Sequence, residues 1–358
     1  MDNFELFGNV EKAQNFLESI KSGKFLFSFV MSYTQTCEIP GITIAGADAN
    51  SMQYTPPADA EYLHYGYCKT IDNIPMTPDG KPTPGLLTKT ALESASIPHL
   101  TINAGSKITP QLPFIETGLS FGKNISVEPA MTDSEVSTAV EFGRIVGRNM
   151  SSLTDCLIIG ESIPAGTTTA LAVLRAFDFD AKVSSSIPTN PTKLKNEIVD
   201  SALKRIDSDH PYSILAKVGD PMIAFVAGML SSASAVSKVM LAGGTQMTAV
   251  LAFASKIGFN EENTAIGTTS YITNDQNANF TNIIEQIADI PAISVNPGLN
   301  NSKYPGLKAF SEGFAKEGVG AGGTIISSML KTGNDSAKFL NLAEQEYDRL
   351  SAQRSQKT

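Results

Sequence analysis

Residues 157–174, LIIGESIPAGTTTALAVL, pass from an apolar run through glycine, a carboxylate and a hydroxyl-rich turn into a helical pattern. An apolar run leading into a helix is the repeating unit of a mostly parallel sheet, whose strands are covered on both faces. The turn between them has the composition of an anion site. The first N–H groups of a helix lack intrahelical partners and point outward, and Thr167, Thr168 and Thr169 add hydroxyls after Pro164, Ala165 and Gly166. The plainer alternative is an ordinary helix cap made by one threonine oxygen. No Gly-Lys-Ser/Thr ending follows, so a single phosphate suits the turn better than a nucleoside triphosphate.

The same alternation recurs on either side. Val239–Gly244 precedes a helical pattern at Gln246–Ala254, and Ala292–Val295 precedes a loop at 296–306. His99–Asn103 reads as a strand ending at Ala104, Gly105, Ser106 and Lys107, and Gly41–Asp48 (GITIAGAD) as a buried strand. Thr132 or Asp133 can cap a helix in which Val136, Ala139, Val140, Phe142, Gly143 and Val146 fall at helical intervals. Glu11–Ile20 is a short amphipathic helix with Ala13, Phe16, Leu17 and Ile20 on one face, while Tyr54–Pro84 forms a long excursion over the sheet. The expected architecture is a three-layer, Rossmann-like α/β domain over 32–306. Residues 1–31 and 307–352 are expected to combine into a smaller helical domain, and 353–358 to fray. In such sheets the ligand crevice lies at the carboxyl ends of the strands.

The 358 residues are 42% hydrophobic, enough for a large core without a metal or disulfide staple. With 36 acidic against 27 basic residues and a net charge of -9, nucleic acid is a poor partner. Cys37, Cys68 and Cys156 are odd in number, distant and without CxxC spacing, which suits a reducing cytoplasm and excludes a disulfide framework. His64, His99 and His210 are equally scattered, so no metal site is expected. The acidic amino end does not read as a signal peptide. Met222–Met240 is broken by serines and reads as a tightly packed internal helix rather than a membrane span.

Two more passages offer chemistry. Lys316–Gly323 (KEGVGAGG) holds Glu317, either a catalytic carboxylate or a solvent-facing acid at a helix end. Gly318, Gly320 and Gly323 satisfy GxGxxG, yet Leu307, Phe310 and Phe314 suggest a preceding helix where a dinucleotide site needs a strand. Gly243, Gly244 and Thr245 repeat the strand, glycine and helix-start arrangement, which close packing explains as well as ligand contact does. Asp48 is either a loop cap or a group facing the crevice.

Taken in order, these strings resemble the nicotinate-nucleotide–dimethylbenzimidazole phosphoribosyltransferase family, in its divergent archaeal-type form. The likeness runs from about Ile42 to Gly323. It rests on Ala45-Gly46-Ala47-Asp48, Gly122-Lys123-Asn124-Ile125 with Pro129-Ala130-Met131-Thr132, Gly160-Glu161 through Thr169, Gly219-Asp220-Pro221, and Glu317-Gly318-Val319-Gly320-Ala321. The resemblance implies a homodimeric enzyme, with no cofactor, that transfers phosphoribosyl from nicotinate mononucleotide to a benzimidazole-type base. The products would be nicotinate and an α-ribotide phosphate for the lower ligand of cobamides. It implies that Glu317 is the catalytic base, that Glu161 lies beside the substrate and that Pro164–Thr169 is the phosphate loop. Asp48, Gly105, Gly243, Gly244, Thr245, Gly318 and Gly320 are the further expected substrate contacts. Ala165-Gly166-Thr167-Thr168 stands where the family commonly has Gly-Asn-Thr-Thr, and Ala47-Asp48-Ala49 where it has Asp-His-Gly. A non-catalytic nucleotide-binding sensor and an NAD-dependent oxidoreductase are the alternative readings.

Overall fold

Phe25–Met31, FLFSFVM, is buried at every position and lies near the middle of an eight-stranded sheet. The structure is a computed structural model that describes residues 3–43, 46, 49–72, 75–77 and 79–357. Its strands are β1 (Phe4–Phe7), β2 (Phe25–Met31), β3 (His99–Asn103), β4 (Ile115–Glu116), β5 (Cys156–Ser162), β6 (Lys238–Ala242), β7 (Thr264–Thr269) and β8 (Ala292–Val295). They lie in the order β4-β3-β2-β5-β6-β7-β8-β1. All neighbours are parallel except β1, which runs antiparallel to β8.

Alternate side chains of the central strands enter separate cores. Leu26 and Val30 of β2 join Leu157 and Ile159 of β5 on one face, where helices Asp133–Ser151, Gly166–Ala176, Pro221–Ala233 and Thr245–Ile257 pack. Phe27, Phe29 and Met31 join Ile158 on the other, beneath helices Val10–Ile20, Gly85–Ser94, Ala321–Thr332 and Ser336–Lys357. Burial on both faces is why these strands read as continuous apolar runs. The three-layer α/β expectation is met.

Local signals account for several elements. The Thr132 hydroxyl accepts from the Glu135 N–H at 3.2 Å, and the Glu135 carboxylate accepts from the Thr132 N–H at 2.7 Å, a reciprocal cap for the 133–151 helix. The small residues of Pro221–Ala233 let that helix press directly on its neighbour: a Cβ at Gly228 would collide with the Val140 carbonyl oxygen. Among the described residues, no helix is long and apolar enough to cross a membrane, and the three cysteines are buried without disulfides.

Five expectations change. Gly41–Thr43 and Gly46 are irregular, with Gly41 at φ 83°, so the described part of GITIAGAD is not a strand; the rest of it, Asp48 included, lies outside the described residues. The Tyr54–Pro84 excursion contains a helix, Thr55–Tyr65. Leu307 to Phe314 form one helical turn followed by turns, ended by Gly313 at φ 97°, rather than a continuous helix. Residues 1–31 do not segregate into a helical domain, because β1 and β2 hydrogen-bond into the main sheet; helices from both chain ends meet as a layer on one sheet face. The last helix continues through Lys357, within the stretch expected to fray.

The chain leaves β2 toward β3 on one side and returns to place β5 on the other. That reversal opens a crevice beyond the carboxyl ends of β2 and β5, the position at which open α/β sheets bind ligands.

Candidate active site

A cavity of about 830 Å³ opens at this reversal, within the size range of small-molecule sites. Its wall is built from the end of β5, the turn at 163–167, the Ser184–Ser186 loop, the helix start at Gly244–Gln246, the 314–319 loop and part of the 54–84 excursion.

Glu317 stands on that wall with its side chain partly open to the cavity. One carboxylate oxygen accepts from the N–H of Gly322 at 3.1 Å and of Gly318 at 3.3 Å; the other accepts from the Thr269 N–H at 3.0 Å and the Thr268 hydroxyl at 3.4 Å. Burial pushes this carboxyl up to about 7, against the pull of those donors, which favour the ionised form. Gly322 is required here, since a Cβ would strike the backbone of Thr268.

Three further acids lie nearby. Glu161, the penultimate residue of β5, is 3% exposed, and its carboxyl is pushed up to about 8 by burial first, then by the like charges of Asp220 and Glu317. Asp59, on the helix Thr55–Tyr65, accepts from the hydroxyls of Thr83 at 2.7 Å and Ser162 at 2.8 Å, and burial raises it to about 6. Asp220 caps the 221–233 helix behind the wall, accepting from the Ile223 N–H at 2.9 Å and the Thr169 hydroxyl at 2.5 Å; burial raises it to about 6. Clustered acids with raised affinities for protons mark a site able to accept or hold protons near neutrality.

Elsewhere on the wall the chemistry is cationic. Lys316 Nζ pairs with Asp275 at 3.1 Å, both side chains being nearly buried. Behind the wall, Lys195, 1% exposed, donates to the carbonyl of the lining residue Ser184 at 2.8 Å; burial, then Lys316, hold its ammonium down to about 7. Ser184–Ser186 lie between these lysines and the Thr245 helix start, the Thr245 hydroxyl accepting from the Ser184 N–H at 3.2 Å. Gly166, which opens the other helix, lies against Gln246, whose Cγ is 3.1 Å from the place a Cβ on Gly166 would take. Two helix N-termini and two lysines against one carboxylate make a corner suited to an anion.

The sequence-derived site residues divide accordingly. Glu161, Pro164, Ala165, Gly166, Thr167, Gly244, Thr245, Glu317 and Gly318 line the cavity. Ala165 adopts φ 61°, a strained backbone of the kind stored at functional turns. Thr168 and Thr169 are turned into the core, Thr169 toward Asp220, because only one threonine of a helical run can face the crevice. The N–H groups of Gly166 and Thr168 are satisfied locally, by the Ile163 carbonyl at 3.2 Å and the Ala165 carbonyl at 2.9 Å. Gly105, Gly243 and Gly320 are packing positions off the cavity wall. A Cβ would lie 2.5 Å from the Ser120 carbonyl oxygen at Gly105, 2.9 Å from the Met247 Cγ at Gly243 and 2.8 Å from the Phe27 ring at Gly320. The GxGxxG string follows turns rather than a strand, so it does not form a dinucleotide fingerprint. Sequence reading missed Asp59, Ser184–Ser186, Lys195 and Lys316; an acid on the buried face of Thr55–Tyr65 was the one available signal.

Residues 100–270 match the sequence model of a phosphoribosyltransferase family, DBI_PRT. A UPF0284 protein of Archaeoglobus fulgidus is 45% identical over 331 residues, covering 92% of this chain and 95% of the relative. The chain belongs to the UPF0284 family. A second UPF0284 protein, from Sulfurisphaera tokodaii, is 41% identical over 333 residues, covering 92% of this chain and 95% of its own. The fold of this UPF0284 chain is that of the nicotinate-nucleotide-dimethylbenzimidazole phosphoribosyltransferase of Thermus thermophilus, with a TM-score of 0.61 at 16% identity, covering 94% of this chain and 92% of that one. The stretch that matches the phosphoribosyltransferase model, residues 100–270, thus lies within a fold of this same α/β type.

Proposed function

We propose that this UPF0284 protein transfers the phosphoribosyl group of nicotinate mononucleotide to a benzimidazole-type base, releasing nicotinate and an α-ribotide phosphate for cobamide lower-ligand assembly. The observation that carries the reading is that a hydrogen-bonded carboxylate, Glu317, and an anion corner at Lys316 and Ser184–Ser186 line one cavity. The phosphate takes the corner, and fixing it there aligns ribose C1. The bond from C1 to the pyridinium nitrogen breaks with its electron pair returning to the ring, so the leaving group needs no proton. The incoming ring nitrogen attacks C1 from the opposite face, and the proton on its second nitrogen passes to Glu317. Glu317 serves in its ionised form, and its value of about 7 sets it near the pH at which proton transfer is most effective. Glu161, at about 8, holds a proton at neutral pH and donates it as a hydrogen bond to a ribose hydroxyl.

In this reading the enzyme works in the cytoplasm as a homodimer, which size-exclusion chromatography with light scattering measures. The decisive experiment incubates the purified protein with nicotinate mononucleotide and a panel of benzimidazole, purine and phenolic acceptors and identifies ribotides by mass spectrometry. A benzimidazole ribotide with stoichiometric nicotinate is expected. Tight nucleotide binding with no ribotide from any acceptor would make the protein a nucleotide-binding sensor instead.

A further inference from the structure

Among the described residues, two cationic side chains line the cavity, Lys316 in the anion corner and Lys81. Lys81 is on a separate element, a hairpin whose described arms, 75–77 and 79–83, are joined by the Thr77 N–H donating to the Lys81 carbonyl at 2.8 Å and the Thr83 N–H donating to the Pro75 carbonyl at 2.9 Å. The hairpin is held at both flanks: the Thr83 hydroxyl donates to Asp59 at 2.7 Å, and the Tyr347 hydroxyl donates to the Gly80 carbonyl at 2.9 Å. The Lys81 Nζ lies 4.4 Å from the centre of the Phe314 ring, itself on the cavity wall three residues before Glu317. Its ion partner, Asp79, is 61% exposed at the side chain, and a solvated pair of this kind contributes little and is readily exchanged.

We propose that Lys81 binds the carboxylate on the departing pyridine ring and thereby makes the site selective for nicotinate over nicotinamide nucleotide. The inference rests on the phosphoribosyl transfer proposed above. That donor carries two anionic groups, at opposite ends of a ribose, and the wall carries two lysines on separate elements. The corner with its two helix starts matches the phosphate, which leaves Lys81 for the ring. An acceptor base has no use for this cation, because positive charge grows on the acceptor as the new bond forms. A nicotinamide ring would set its pyridinium charge near the Lys81 ammonium with no carboxylate between them. Nicotinate supplies that carboxylate, and it remains an anion after the C–N bond has broken and the ring has become neutral. The Phe314 face gives the same ring an apolar surface to lie against.

The test is calorimetric binding of nicotinate mononucleotide, nicotinamide mononucleotide and ribose 5-phosphate to the wild type, Lys81→Met and Lys81→Arg. The wild type is expected to prefer the nicotinate nucleotide by about tenfold or more, as loss of a charged hydrogen bond predicts. Lys81→Met should abolish that preference and leave ribose 5-phosphate binding unchanged, which also shows that the variant is folded. Lys81→Arg should restore most of the preference. A Lys81→Met protein that keeps the full preference, or a wild type that binds ribose 5-phosphate yet shows none, overturns the Lys81 assignment alone. A wild type that binds neither nucleotide nor ribose 5-phosphate overturns the phosphoribosyl reading and this inference with it.

Discussion

The Val319 N–H donates to the Glu161 carbonyl at 2.9 Å. This bond fastens the loop that carries Glu317 to the carboxyl end of strand β5, although 158 positions of sequence separate Val319 from Glu161. The Thr269 N–H fixes the Glu317 carboxylate itself to the end of β7. Three segments of the chain therefore share one small framework, and the reacting carboxylate is placed by backbone bonds rather than by flexible side chains. Preorganisation of this kind is what a proton acceptor in a partly dry site requires.

Glu317→Gln is expected to lower turnover by about 10²–10⁴-fold, the usual contribution of a positioned base, while nicotinate mononucleotide affinity changes little. The amide carbonyl can still accept from Gly322 and Gly318, but the amide nitrogen then faces the Thr269 N–H, at a cost of about 1 kcal/mol. Steady-state rates with thermal melts check both halves. Unchanged turnover would remove Glu317 from the base role.

Stability should fall with rising pH across the neutral range. Glu161 and Glu317, raised from 4.5 to about 8 and about 7, keep protons in the folded chain that the unfolded chain has already released. The folded state binds more protons in that window, so its advantage is intact below the unfolded values and is lost as pH rises through the folded ones, by about 1 kcal/mol per pH unit for each group. Glu161→Gln should therefore melt higher than wild type at about pH 9 and equally at about pH 4. Parallel melting curves for the two proteins across this range would contradict the assignment.

How far the sequence went depends on where each signal resides. The β5 strand, its turn and the helix after it were legible because their apolar pattern and glycines are contiguous. The strand Phe25–Met31 was not, although it is buried throughout. A short apolar run carries no period that separates a buried strand from a helix, and here it follows a helix almost directly. β7, TAIGTT, is half threonine and is buried because the helix Ala321–Thr332 lies on it, a fact of tertiary packing. Within the site, both glutamates stood in recognisable strings. The cluster of Lys195, Lys316, Asp275 and Ser184 draws on separate segments, and no local spacing announces it.

Gly322→Ala should destabilise the fold by about 1–3 kcal/mol, as overpacking of a closed contact does. The added Cβ meets the Thr268 carbonyl carbon and the Thr269 nitrogen, so the loop must move away from β7. That movement lengthens the Thr269 bond to Glu317, and turnover should fall more than nucleotide affinity. Urea unfolding and a separate determination of kcat and KM test this. A variant with wild-type midpoint and kcat would show that the contact is not closed in solution.

Phosphate capture should involve a proton. Burial and the neighbouring Lys316 hold Lys195 down to about 7, with Asp275 opposing them, so in the empty site the ammonium is lost as pH rises through that value. A bound phosphate group favours the charged form, and by linkage its binding takes up a proton wherever Lys195 is neutral beforehand. Ribose 5-phosphate affinity should therefore fall by about fivefold between roughly pH 7 and pH 8, and approach the single-proton limit of about tenfold per unit above that. Titrations in two buffers of different ionisation enthalpy should report net uptake above about pH 7. Lys195→Met should bind more weakly at low pH and lose both the slope and the uptake. Equal uptake in that variant and the wild type would assign the proton to another group, and a wild-type affinity that does not fall above pH 7 would place the phosphate away from this corner.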